Sequence, residues 1–104
     1  WNGNSQSKEW CTKISSWANT VGAANIKDGY NLDGIENSDG NHNSAFVGGF
    51  AVAAMCNNQV IADRFGNEML SSKLGDSNWF IMSTRSLYLL TITGNFWKPT
   101  VSSN

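Results

Sequence analysis

Ser44-Ala45-Phe46-Val47-Gly48-Gly49-Phe50-Ala51-Val52-Ala53-Ala54-Met55-Cys56-Asn57 is apolar or small at almost every position after its first. A helix built from such a run has no polar stripe, so it belongs inside protein on several sides at once. Ser44 or Asn43 supplies the side-chain oxygen that caps its start, and Asn57-Asn58 break it. Gly48, Gly49, Ala51, Ala53 and Ala54 allow neighbouring helices to approach closely. A chain of 104 residues is one domain or less, and its core margin is thin. The expectation is that this helix needs more neighbours than the chain itself provides.

Outward from that run the pattern stays helical. Trp10, Ile14, Trp17 and Val21 recur at helical spacing, which assigns Trp10 and Trp17 to core packing. Asn4 or Ser5 caps this helix, and Gly22 is a natural stop. On the other side Val60, Ile61, Phe65, Met69 and Leu74 mark a helix ending at Gly75. Asp76 or Ser77 caps the last helix, in which Ile81, Tyr88 and Ile92 share a face that Leu87, Leu89 and Leu90 widen. Gly94 ends it, and residues 95–104 form a tail containing Pro99. Residues 25–43 differ. Asp28-Gly29 and Asp33-Gly34 favour tight turns, Tyr30 and Leu32 alternate with polar neighbours as in a short strand or hairpin, and residues 37–43 make a long polar loop. The order predicts an all-α fold of paired helices with one short hairpin or loop insertion.

Composition excludes several functions. Charged residues are 14% of the chain and the net charge is −1, leaving no basic footprint for nucleic acid. The apolar runs fall far short of the roughly 20 residues a membrane span needs. One histidine, His42, and two cysteines, Cys11 and Cys56, without a C-x-x-C pair, argue against a zinc site. The cysteines read first as small buried residues on apolar helix faces, with a disulfide in an oxidising compartment as the alternative. The neutral, Asn-, Ser- and Trp-rich composition suggests a secreted carbohydrate-active protein. The first residue, Trp1 rather than Met, reads as a processed or cropped start.

Three stretches taken together carry a resemblance: residues 28–34, Asp-Gly-Tyr-Asn-Leu-Asp-Gly; residues 41–48, Asn-His-Asn-Ser-Ala-Phe-Val-Gly; and residues 50–55, Phe-Ala-Val-Ala-Ala-Met. They resemble the D-G-Y-x-L-x-G, H-N-S-x-F-V-G-P and A-x-A-A-M segments near the C-terminus of family 8 glycoside hydrolases. Ser86-Leu87-Tyr88-Leu89-Leu90 followed by Thr93-Gly94-Asn95-Phe96-Trp97 is similar to the ending of that family. The likeness covers most of residues 10–99 in the right order. Gly49 departs from it where many members have proline. Trp79-Phe80 departs where members often have a Tyr-Tyr pair, so the hydroxyls that could hold a water or a sugar are missing.

The resemblance implies that residues 1–104 are the C-terminal portion of a glycoside hydrolase catalytic domain, part of an (α/α)6 barrel. It implies an inverting endo-hydrolase of β-1,4-linked polysaccharide, of endoglucanase or chitosanase type, with no cofactor. The family's catalytic acid and base motifs are absent here, so the resemblance leaves the catalytic residues unassigned in this chain and places them in the N-terminal part of the same enzyme. Asp28 and Asp33 flank Tyr30 but read as turn formers before glycine. Aromatic rings stack on the C–H faces of sugars, which makes Tyr30 and Trp79 the favoured sugar-facing pair, with Phe80 beside them. His42, before the buried helix, either orders the cleft loops or touches a sugar hydroxyl. Arg85 reads as a solvated charge. A stand-alone carbohydrate-binding or structural module is the alternative that the missing carboxylates favour.

Overall fold

Every α-helix in the computed structural model, which describes residues 3–37, 40–72 and 78–96, opens on an asparagine. Helix α1 spans Ser5–Val21, α2 Ser44–Ala54, α3 Gln59–Ser71 and α4 Trp79–Ile92. Asn4, Asn43 and Asn58 each accept a backbone N–H of the first turn at 3.0 Å, and Asn78 accepts those of Phe80 and Ile81 at 3.0 and 3.5 Å. Each cap satisfies a donor that the helix leaves unpaired, worth about 1 kcal/mol. The cap of α4 is therefore Asn78 instead of Asp76 or Ser77. Those two residues lie outside the described ones, as do Leu74, Gly75 and the tail beyond Phe96.

Among the described residues the fold is all-α, with a short 3-10 turn at Ala23–Asn25 and no strand. The hairpin expected around Tyr30 reduces to a single antiparallel bridge, Tyr30 to Glu36. The Asp33-Gly34 turn does form: Gly34 takes φ 84°, its N–H bonds Asn31 O at 2.9 Å, and Asp33 Oδ1 accepts the Ile35 N–H at 3.0 Å. With only this local bonding, the segment has no partner strand to extend into a sheet.

Helix α2 is central, packed against α1, α3 and α4. The core joins Ala18 of α1, Ala23 and Ile26 of the following turn, Val47 and Ala51 of α2, and Phe65 and Met69 of α3. The chain thus covers much of α2 by itself, contrary to expectation, because small residues let its neighbours come close. A Cβ at Gly48 would stand 2.1 Å from Tyr88 Cδ2, so α4 seats its tyrosine directly on the glycine backbone. The helix left uncovered is α4, which is apolar along its length yet has no buried residue.

Arg85 is not solvated. From α4 it donates to the carbonyls of Met69, Leu70 and Ser72, acceptors at the C-terminal end of α3. A cation there also faces the negative end of the helix dipole.

Candidate functional site

The long segment between α1 and α2 folds back over α1. Tyr30 stands perpendicular to Trp17, ring centres 5.1 Å apart at 89°. Its hydroxyl accepts the Lys27 N–H at 2.9 Å and points to Asn25 O at 3.5 Å. Gly34 passes so close that a Cβ there would lie 3.0 Å from the Trp17 indole nitrogen. Trp17 in turn lies 5.9 Å from Phe50 of α2, and Phe50 6.1 Å from Phe65 of α3. The result is a hollow of about 470 Å³ whose walls include Trp17, Tyr30, Leu32, Asp33 and Phe50.

A second hollow, about 450 Å³, adjoins the first through Ile14 and Phe50 and is walled by Trp10, Phe46, Phe80 and Tyr88. Its lining is overwhelmingly apolar. Trp79 and Phe80, the first two residues of α4, stand perpendicular at 6.4 Å and are 76% and 50% exposed. The two hollows form one aromatic strip running from the Tyr30 loop to the start of α4. A third hollow, about 320 Å³, at the α2–α3 corner has no aromatic lining.

Tyr30 and Phe80 thus occupy neighbouring hollows, and Trp79 stands at the far end, beside Phe80 rather than beside Tyr30. Trp10 and Trp17 were both expected in the core. They lie seven residues apart on the same flank of α1, but the Tyr30 loop covers only Trp17, and Trp10 is left 64% exposed. Trp17 and Phe50, which form the floor, escaped the sequence-based site assignment because periodicity marks both as core and says nothing of a loop folding onto them.

His42 lines none of these hollows. Its Nδ1 lies 2.7 Å from Ile26 O and its Nε2 3.0 Å from Glu68 Oε1 of α3. A carbonyl only accepts, so Nδ1 donates to Ile26 O. Both ring nitrogens are engaged in a half-buried clasp tying the loop before α2 to α3 and to fully buried Ile26.

Three of the other carboxylates serve local structure. Glu9 pairs with Lys13, Asp63 accepts from Gln59 at 2.6 Å, and Asp33 closes its turn. Asp39 and Asp76 lie outside the described residues. Among the described residues no three His, Cys, Asp or Glu side chains group as metal ligands, and no helix is long and apolar enough to cross a membrane.

The cysteines also depart from expectation. Cys11 is half-buried on α1, but Cys56 is exposed in the turn after α2. The helix stops before it, and the Cys56 and Asn57 N–H groups bond back to Ala53 O and Ala54 O.

No family model matches the chain. Over 98 residues it is 38% identical to Endoglucanase C of Ruminiclostridium cellulolyticum and to Endoglucanase 2 of Ruminiclostridium josui, in each case across 92% of this chain. Over 103 residues it is 35% identical to Endoglucanase A of Acetivibrio thermocellus, across 95% of this chain. The chain spans only 21% of the length of each of these relatives.

Proposed function

We propose that residues 1–104 are the C-terminal portion of a family 8 glycoside hydrolase catalytic domain, one sector of an (α/α)6 barrel. The whole enzyme is secreted and hydrolyses β-1,4-linked polysaccharide, as an endoglucanase or chitosanase. The similarity to enzymes named endoglucanases along 92% of the chain is the observation that carries this reading. Helix α4 supports it physically. Met82, Leu87 and Leu90 are exposed on a helix with no buried residue, and such a helix fits a position between this sector and the rest of a barrel.

Inverting hydrolysis needs one carboxylic acid to protonate the leaving oxygen and one carboxylate to activate water, about 6.5–9.5 Å apart. Asp33, Asp63, Glu9 and Glu68 are held in turns, helix pairs and the His42 clasp, and the acid and base motifs of family 8 are absent from this sequence, so the pair is assigned to the remaining part of the enzyme. This chain contributes a cleft wall. Tyr30, Trp79 and Phe80 offer ring faces to successive sugars, and His42 holds the loop that leads into α2.

A reducing-sugar assay on carboxymethylcellulose and chitosan tests this. The enzyme containing the segment hydrolyses at least one of them, and the 104-residue chain alone hydrolyses neither. In the enzyme, Trp79→Ala raises KM about tenfold with kcat little changed, the loss of about 1.4 kcal/mol of binding. Hydrolysis by the isolated chain would move the catalytic pair into it. Sugar binding by the enzyme without hydrolysis would favour a carbohydrate-binding module instead.

A further inference from the structure

Cys11 and Cys56 sit on two segments that polar contacts lock together. Cys11 lies one turn before Ser15 on the same face of α1, and Ser15 is fully buried. Asn57, the residue after Cys56, donates its side-chain amide toward Ser15 Oγ at 3.0 Å, Ser16 Oγ at 2.9 Å and Thr12 O at 3.2 Å. In return the hydroxyl of Thr12, the residue after Cys11, reaches Cys56 O at 3.1 Å while also lying 2.8 Å from Lys8 O within α1. Each cysteine is thus next in sequence to a residue of this contact. Both are free thiols. Burial raises the Cys11 thiol pKa, and the neighbouring Cys56 raises it further.

We propose that Cys11 and Cys56 are a redox pair that closes into a reversible disulfide, fastening α1 to the turn between α2 and α3. The oxidant is a small-molecule disulfide such as oxidised glutathione. Cys56 is exposed, so its thiolate attacks one sulfur of the oxidant. The oxidant's S–S bond breaks, one glutathione leaves as thiolate and takes up a proton, and Cys56 holds a mixed disulfide. Cys11 then gives up its proton and attacks Cys56 Sγ. The mixed S–S bond breaks and the second glutathione leaves and is protonated. Two protein thiols are oxidised, and one glutathione disulfide becomes two glutathione thiols. The bond encloses residues 11–56, and so ties down the segment bearing Tyr30 as well as α2. It stands independently of the hydrolase reading.

The test is peptide mapping of the folded full chain after incubation with oxidised glutathione, alkylation and non-reducing tryptic digestion. Cleavage after Lys8, Lys13, Lys27 and Arg64 separates the cysteines. The expected product is peptide 9–13 cross-linked to peptide 28–64, lighter by two hydrogens than the sum of the two peptides and split by reductant. Oxidation raises the Tm of the full chain by several degrees, since the loop is long. Neither Cys11→Ser nor Cys56→Ser shows that rise. Recovery of both peptides alkylated, or each carrying only glutathione, would overturn the proposal. So would a Tm rise that persists in Cys11→Ser.

Discussion

Tyr30 and His42 each place polar atoms on the backbone, and substitutions separate that role from any contact with sugar. In Tyr30→Phe the Lys27 N–H loses its acceptor while the ring stays against Trp17, so the expected cost is about 1 kcal/mol, read from denaturant melts. His42→Ala is expected to cost about 1–3 kcal/mol, because the carbonyl of fully buried Ile26 loses its partner. A loss below the error of the melt would mean that the clasp is not made in solution. Burial and the adjacent Cys56 thiol hold the pKa of Cys11 above the ordinary thiol range, and its thiolate is correspondingly scarce. At mildly alkaline pH, iodoacetamide is expected to label exposed Cys56 well before Cys11 in the reduced protein, as followed by mass spectrometry. Equal rates would contradict that environment.

Two contacts on α4 decide how the helices meet. Gly48 lets Tyr88 lie on the α2 backbone, and a methyl group there has no room. Gly48→Ala is therefore expected to destabilise by about 1–3 kcal/mol, and pairing it with Tyr88→Leu is expected to restore part of the loss. Additive costs in a double-mutant cycle would show that the two residues are not in contact. At the other contact Arg85 serves the final carbonyls of α3. Arg85→Met removes its donors while keeping much of its length, and faster amide exchange is expected at the C-terminal end of α3 than in its first half. Unchanged exchange there would leave Arg85 without a structural role.

For the whole chain, the feature with consequences is the asymmetry of cover. Helix α2 is enclosed by three neighbours, whereas α4 leaves Met82, Leu87 and Leu90 about half exposed. Apolar faces of this kind mark surfaces that meet other protein. The isolated 104-residue chain is expected to self-associate or bind a hydrophobic dye. Leu87→Lys with Leu90→Lys should reduce both, at a stability cost within about 0.5 kcal/mol per surface site. Sedimentation and dye fluorescence measure this. A monomeric chain that ignores the dye would mean that α4 packs more tightly than it does here.

The helices were readable from residues alone because their signals are local. The caps at Asn4 and Asn43, the stop at Gly22 and apolar residues spaced three and four apart depend on neighbours within a turn or two, and the all-α class follows from them. Burial is not local. Trp10 and Trp17 share one flank of α1, yet only Trp17 is covered, by a loop whose path depends on the turn at Gly34 and the bond from Tyr30 to Lys27. Cys56 belongs to an apolar run but falls past the helix end and outside the core. Arg85 looks like any surface charge until a second helix brings three helix-end carbonyls within its reach. Whether a side chain faces the core, a hollow or solvent depends on segments far away in sequence, and only the packing of the folded chain brings those segments together.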